Sequence, residues 1–417
     1  MPCHSGAFRA QHAPKCLPEA PARGFHQPSL HQTSVATKPS DPPLERVSAI
    51  DALRGLAALV VLLAHARSML WVGVSETYRQ HGWQPDLNAW LGYLSAPLGL
   101  GGRGVTLFFV LSGYCIHRRG AQLLAANPGA RLDSTAFFVR RFWRIYPTYL
   151  AALLVTALLD AWLAARTGSP PPGQDNSLHT FLISCVSLQG YLAPHFGSNG
   201  VFWTLAMEVH LYAAYPLLFV LSRRWGPEGT LLCTLLAGMG YVGADALIGL
   251  ERHLPHRFEI GPVFLPYWFT WTIGFFLAEV EAGRAADWGD RRWRLLGTGG
   301  LAAGLALTVT GHHYVAEVGW ALFFAALLRW SLVPEGMRFW NRRFGLGLAL
   351  VGVFSYSLYA IHAPLLRVFQ SLLAPTHPQK FATLWPALGG VACVIPVAWL
   401  FFRMGEWWSI KKSARQR

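Results

Sequence analysis

The chain has 417 residues, of which 53% are hydrophobic and only 13% charged, and it carries 18 tryptophans. Soluble chains average about 25% charged residues, so the composition argues against a water-soluble fold and for a polytopic membrane protein. The net charge of +14 does not point to nucleic acid, because the arginines cluster between hydrophobic runs, the pattern that controls membrane topology.

Residues 1–45 stand apart. They are rich in Pro, His, Ser and Ala and lack the continuous apolar stretch of a secretory signal. They read as a disordered cytoplasmic tail or as an over-extended translation start. His12, His26 and His31 have no regular spacing, so no metal site is expected there. The cysteines, Cys3, Cys16, Cys115, Cys185, Cys233 and Cys393, form no CxxC pair and read as packing residues rather than disulfide partners.

Ten segments are long and apolar enough to span, near 50–71, 95–116, 145–165, 201–221, 229–249, 263–281, 295–311, 315–333, 346–368 and 383–403. A hydrocarbon core of about 30 Å takes about 20 helical residues, and helix satisfies every backbone polar group within the segment. The expected fold is therefore all-α, with about ten transmembrane helices in a membrane domain over 46–405. A shorter apolar run, 178–194, ends in Gly and Pro and reads as re-entrant or interfacial. Every second loop is basic: the one after the second span holds Arg118, Arg119, Arg131, Arg140, Arg141 and Arg144. The loops after the fourth, sixth and eighth spans and the C-terminal tail, 406–417, are basic too, which puts both termini in the cytoplasm. The stretch 251–257 is the one charged exception on the opposite side. No internal repeat with matching motifs is visible, which disfavours a transporter built from inverted repeats.

Four polar constellations interrupt the apolar runs. In the first span, Arg54 and His65 are eleven residues apart, within about 20° of three full turns, so they share a face roughly 16 Å apart along the axis. Asp51, one turn before Arg54, is placed to pair with it. Taken alone, Arg54 is a cytoplasmic flank and His65 an interhelical hydrogen-bond partner. An ionisable group at membrane depth nonetheless suggests function, and low-dielectric surroundings favour a neutral imidazole that can accept a proton, as a general base must.

The second constellation, 101–119, is glycine-rich around Ser112 and Gly113 and delivers Arg118 and Arg119 to the cytoplasmic surface; Arg140, Arg141 and Arg144 follow. Arg141 and Arg144 share a face if that segment is helical, with Pro147 opening the next helix. Topology and anionic lipid account for several of these arginines, but the loop could also grip a phosphorylated cytosolic ligand. In the third, 199–219, Glu208 and Tyr212 lie on one face, with His210 pointing away in a packing role. The fourth, 354–366, sets Ser355, Tyr359 and His362 on one helical stripe, and makes His362 a second base candidate.

With these residues in place, the chain over about 46–405 resembles membrane acyltransferase family 3, the bacterial O-acetylases and acyltransferases of O-antigen, exopolysaccharide, peptidoglycan, Nod factor and macrolide. Arg54 and His65 match the family's arginine, ten residues, histidine motif. The run GVTLFFVLSGY resembles its second-span signature, and Arg141, Arg144 and Pro147 its double-arginine loop. Trp203, Thr204, Leu205, Glu208 and Tyr212 resemble its Trp-Ser/Thr-Leu-x-x-Glu-x-x-x-Tyr pattern, and SYSLYAIHAP, with Ser355, Tyr359 and His362, resembles its late Ser-Tyr-x-x-Tyr-x-x-His block. Thr106 stands where many members have Asp, and no hydrolase-like segment follows residue 403, so the stand-alone type is expected.

The resemblance implies an enzyme of the bacterial inner membrane that moves an acyl group, acetyl above all, from cytosolic acyl-CoA to a hydroxyl of a glycan or other acceptor. Acyl-CoA is then a co-substrate and no bound cofactor is implied. Arg54, Arg118, Arg119, Arg141 and Arg144 would hold it, and His65 would act with Glu208 in the chemistry. Ser112, Trp203, Tyr212, Ser355, Tyr359 and His362 would bind the acceptor or orient the base. The competing class is a proton-coupled transporter or flippase using His65 and Glu208, which needs no phosphate-gripping face.

Overall fold

Long apolar runs punctuated by Gly and Pro give helices and little else. A computed structural model describes residues 44–82, 86–168, 175–249, 264–374 and 380–415, and among these there is no β-strand beyond isolated bridges. The tail expected over 1–45 lies outside the described residues up to position 43, as do Cys3, Cys16, His12, His26, His31 and the stretch 251–257.

The helices in chain order are α1 (Leu44–Leu70), α2 (Val74–His81), α3 (Leu87–Leu94), α4 (Arg103–Ala126), α5 (Ser134–Thr167), α6 (Leu178–Cys185) and α7 (Phe202–Ile248). They continue with α8 (Leu265–Glu281), α9 (Gly289–Val309), α10 (His313–Ser331), α11 (Pro334–Trp340) and α12 (Arg343–Val353). The last are α13 (Ser355–Leu373), α14 (Trp385–Phe401) and α15 (Trp407–Arg415), the final two joined by a π turn over Phe402–Glu406.

Five stretches are long and apolar enough to cross a membrane: Ser48–Leu70, Leu87–Ala126, Ser134–Thr167, Phe202–Ile248 and Trp385–Lys412. Two bent pairs, α10 with α11 (89°) and α12 with α13 (73°), bring the number to seven among the described residues. Ten separate spans were expected, and the differences have physical causes. The fourth and fifth are present as the two arms of α7, separated where expected at Gly226, whose φ of 76° and ψ of 171° are non-helical; Pro227 follows and has no N–H to give. The ninth, expected as one helix over 346–368, breaks at Phe354 between α12 and α13. Helix α8 has 17 residues, and α9 is diluted by Arg, Gly and Thr. The run 178–194 does not span: it forms the short α6 and then turns.

The arginine segment is helical, as a shared face for Arg141 and Arg144 requires, but it belongs to α5, which starts well before the expected 145. Asp133 caps it by accepting from Ala136 N at 2.9 Å. Pro147 therefore sits inside the helix rather than at its start. A proline removes the donor for the carbonyl four residues back. That carbonyl belongs to Trp143, and Ser409 Oγ of α15 donates to it. The expected C-terminal tail is thus a helix held against α5, with Lys412 Nζ 3.3 Å from the Trp143 ring centroid.

Close helix contacts rest on glycine. Helices α4 and α8 meet reciprocally: a Cβ at Gly113 would lie 1.9 Å from Trp271 O, and one at Gly274 1.9 Å from Val110 O. Backbone cannot yield as a side chain can. Gly274→Val is expected to force α4 and α8 apart and lower stability by at least about 1–3 kcal/mol, the usual penalty of overpacking. Thermal unfolding in detergent should show the loss, and an unchanged midpoint would contradict the packing.

Candidate functional site

Helices α1, α4, α5, α7 and α13 form a half-open cavity of about 130 Å³ lined by Arg54, Ser112, Cys115, Arg141, Arg144, Glu208, Tyr212, Ser355, Tyr356 and Tyr359, with Phe108, Phe109 and Leu205 among its apolar walls. Eight of the residues singled out from the sequence therefore meet around one space although they come from five helices.

The cations are held from behind. Arg54 Nη1 pairs with Asp51 at 3.0 Å, as its position one turn away suggested, and Nη2 reaches Cys115 Sγ at 3.4 Å. Arg144 Nη1 pairs with Glu406 Oε1 at 2.8 Å; that carboxylate is fully buried, and its other oxygen accepts from Ser357 N at 3.0 Å and Ser357 Oγ at 2.6 Å. Glu406 thereby ties the C-terminal segment to both a cavity arginine and the first turn of α13. Arg141 Nε is buried with no hydrogen-bond partner among the described residues.

The carboxylate of Glu208 faces the cavity and accepts from Tyr212 Oη and, at 3.3 Å, from Ser112 Oγ. Trp271 Nε1 donates to Ser112 Oγ at 3.2 Å. The i, i+4 spacing on α7 brings Glu208 and Tyr212 together as read from the sequence. Ser355 Oγ donates to Gly352 O at 2.8 Å, which secures the break before α13.

His65 and His362 do not line this cavity; they adjoin it and meet each other. His65 Nδ1 lies 2.6 Å from His362 Nε2. Tyr359 joins the two regions: its ring lines the cavity and sits 5.5 Å from the His362 ring, and its hydroxyl accepts from Thr204 Oγ1 at 2.7 Å.

Three expected site residues lie elsewhere. Arg118 pairs with Glu281 at 3.0 Å on α8, and Arg119 is exposed on the far end of α4. Trp203 packs against Tyr267 at 5.8 Å. His210 has the packing role read for it, its Nε2 donating to Ser187 O at 2.8 Å. Sequence reading missed Cys115 in the cavity and Glu406 behind Arg144. Tyr356, on the cavity wall, was left out of the helical stripe through Ser355 but is the second residue of the late Ser-Tyr block that the resemblance marks. No group of three or more metal-ligating side chains occurs among the described residues.

A helical membrane protein with an arginine-lined cavity between its helices is the class that fold and site define. The family 3 acyltransferase domain matches residues 47–403, and the chain belongs to that family. It is 27% identical over 232 residues to nodulation protein 10 of Rhizobium leguminosarum bv. viciae, covering 51% of this chain and 56% of that protein. It is 24% identical over 321 residues to the peptidoglycan O-acetyltransferase OatA of Listeria monocytogenes serovar 1/2a, covering 73% of this chain and 50% of that one. The chain thus spans about half the length of these curated relatives. No solved structure matches it.

Proposed function

We propose that the protein is a multi-pass O-acyltransferase of a bacterial inner membrane that moves an acyl group, acetyl foremost, from cytosolic acyl-CoA to a glycan hydroxyl. The observation that carries this reading is the cavity itself, with three arginines on its walls and a histidine pair against the Tyr359 side. Family membership and the O-acetyltransferase relative support it. With both termini cytoplasmic, the arginine end of the cavity, which starts from Arg54 in the first half of α1, faces the cytosol. There Arg54, Arg141 and Arg144 suit the phosphates of CoA.

In the reaction His65 accepts the proton of the acceptor hydroxyl as its oxygen attacks the thioester carbonyl. The tetrahedral intermediate collapses, the C–S bond breaks, the CoA thiolate leaves, and the proton passes to it from His65. A sugar hydroxyl ionises far above neutral pH, so a positioned base contributes about 10²–10⁴-fold. Glu208, with Tyr212 and Ser112, is placed to hold a hydroxylated substrate by hydrogen bonds.

The test is turnover in proteoliposomes given labelled acetyl-CoA and a crude cell-envelope glycan. CoA release and label transfer that both depend on the glycan are expected. No CoA binding and no release, with proton movement coupled to solute uptake instead, would replace this reading with the transporter.

A further inference from the structure

We propose that His362 is a positioning residue that fixes which nitrogen of His65 is basic; this rests on the acyl-transfer reading only for its consequence in turnover. The inference comes from counting hydrogens along one chain of contacts. His362 Nδ1 lies 2.8 Å from Tyr359 O. A carbonyl oxygen can only accept, so His362 carries its hydrogen on Nδ1. With the ring neutral, His362 Nε2 is then an acceptor. It lies 2.6 Å from His65 Nδ1, which must donate. His65 is thereby held in the Nδ1–H form, and its Nε2 is left with the lone pair that takes a proton.

The ring geometry agrees. The two centroids are 4.9 Å apart and the planes differ by 14°. With nitrogens only 2.6 Å apart and centroids 4.9 Å apart, the rings approach edge to edge in nearly parallel planes, which lets a ring N–H point along the facing ring-nitrogen lone pair. When Nε2 takes the substrate proton, the Nδ1–H bond to His362 persists and spreads the new charge.

The backbone beneath His362 is fixed by a second device. Pro364 lies inside α13 and has no N–H, which leaves Ala360 O without its helical donor. Asn199 Nδ2 supplies one at 2.8 Å, from a residue with no exposed surface that also donates to Thr156 Oγ1 at 3.2 Å. The segment before α7 and helix α5 therefore hold the turn of α13 that bears His362, itself 1% exposed.

The experiment uses the full chain in nanodiscs, labelled with ¹⁵N-histidine, and compares wild type with His362→Leu, His362→Gln and Asn199→Ala. The nitrogen signals of His65, assigned by their loss in His65→Ala, should report Nδ1–H in wild type and revert toward the Nε2–H form in His362→Leu. In turnover, His362→Leu should lower kcat by about 10- to 100-fold, comparable to removing the partner that orients a working imidazole, with KM for acetyl-CoA unchanged. His362→Gln, whose amide oxygen can accept from His65 Nδ1, should recover most of that loss, and Asn199→Ala should reproduce part of it. Unchanged His65 nitrogen signals in His362→Leu, or a kcat equal to wild type, would overturn the proposal. The nitrogen signals read the tautomer whether or not His65 is the base. An active His65→Ala protein would therefore refute the base reading alone, separately from a failure of the lock.

Discussion

Replacement of His65 by alanine is expected to lower acyl transfer by at least about 10²–10⁴-fold while acyl-CoA still binds. The separation of the two effects follows from the geometry. The arginines line the cavity, and their hydrogen-bonding partners are Asp51, Cys115 and Glu406; His65 lies outside that lining and contacts His362. On the proposed reading, donor binding and proton removal occupy different parts of the bundle, so kcat should fall and KM for acetyl-CoA should stay near its wild-type value. Removing the ring also leaves His362 Nε2 without its donor, a cost of about 1–3 kcal/mol for a buried group, so wild type and variant must be compared at matched folded protein. Equal turnover in both would take His65 out of the mechanism and leave His362 as the remaining base candidate in the pair.

Which residues share a helix face was legible in the sequence, because helical phase is local. The spacing of Arg54 and His65, of Glu208 and Tyr212, and of Ser355 and Tyr359 put the right side chains together, and all but His65 meet in the cavity. Which faces oppose one another was not legible, because the partner lies far along the chain. His65 and His362 are 297 positions apart, and Arg144 and Glu406 are 262 apart. Arg118 shows the limit most plainly. By sequence it is as good a phosphate ligand as Arg141, since both are basic residues flanking a span. The structure places it outside the cavity, against Glu281 at the end of α8, and nothing near Arg118 in the sequence announces that acid. Helix breaks divide the same way. Gly226 and Pro227 mark theirs by residue type, whereas the break at Phe354 has no such residue and is held by Ser355 Oγ donating to Gly352 O. The prolines inside α5 and α13 were visible, but not that Ser409 and Asn199 would complete the carbonyls they leave open.

Arg141→Gln is expected to raise KM for acetyl-CoA by about 10- to 100-fold with little change in kcat, the value of one charge-assisted contact of about 1.5–3 kcal/mol. Among the three cavity arginines it is the informative one. Arg54 is matched by Asp51 and Arg144 by the buried Glu406, so removing either would also strand a carboxylate and confound binding with stability. Arg141 has its ring contact with Phe137, 5.7 Å from the guanidinium carbon, and a buried Nε without a partner. A buried guanidinium with an unmet donor is suited to an anion that arrives with the substrate. The donor chemistry can then be dissected without a second mutation. An acetyl-pantetheine thioester has the reactive bond of acetyl-CoA and none of the nucleotide phosphates. If Arg141 holds a phosphate, wild type and Arg141→Gln should use that truncated donor equally, both with the raised KM. If instead the variant is slower with both donors and the loss appears in kcat, the guanidinium serves the thioester carbonyl as negative charge develops on it, and the phosphates must be held by other groups.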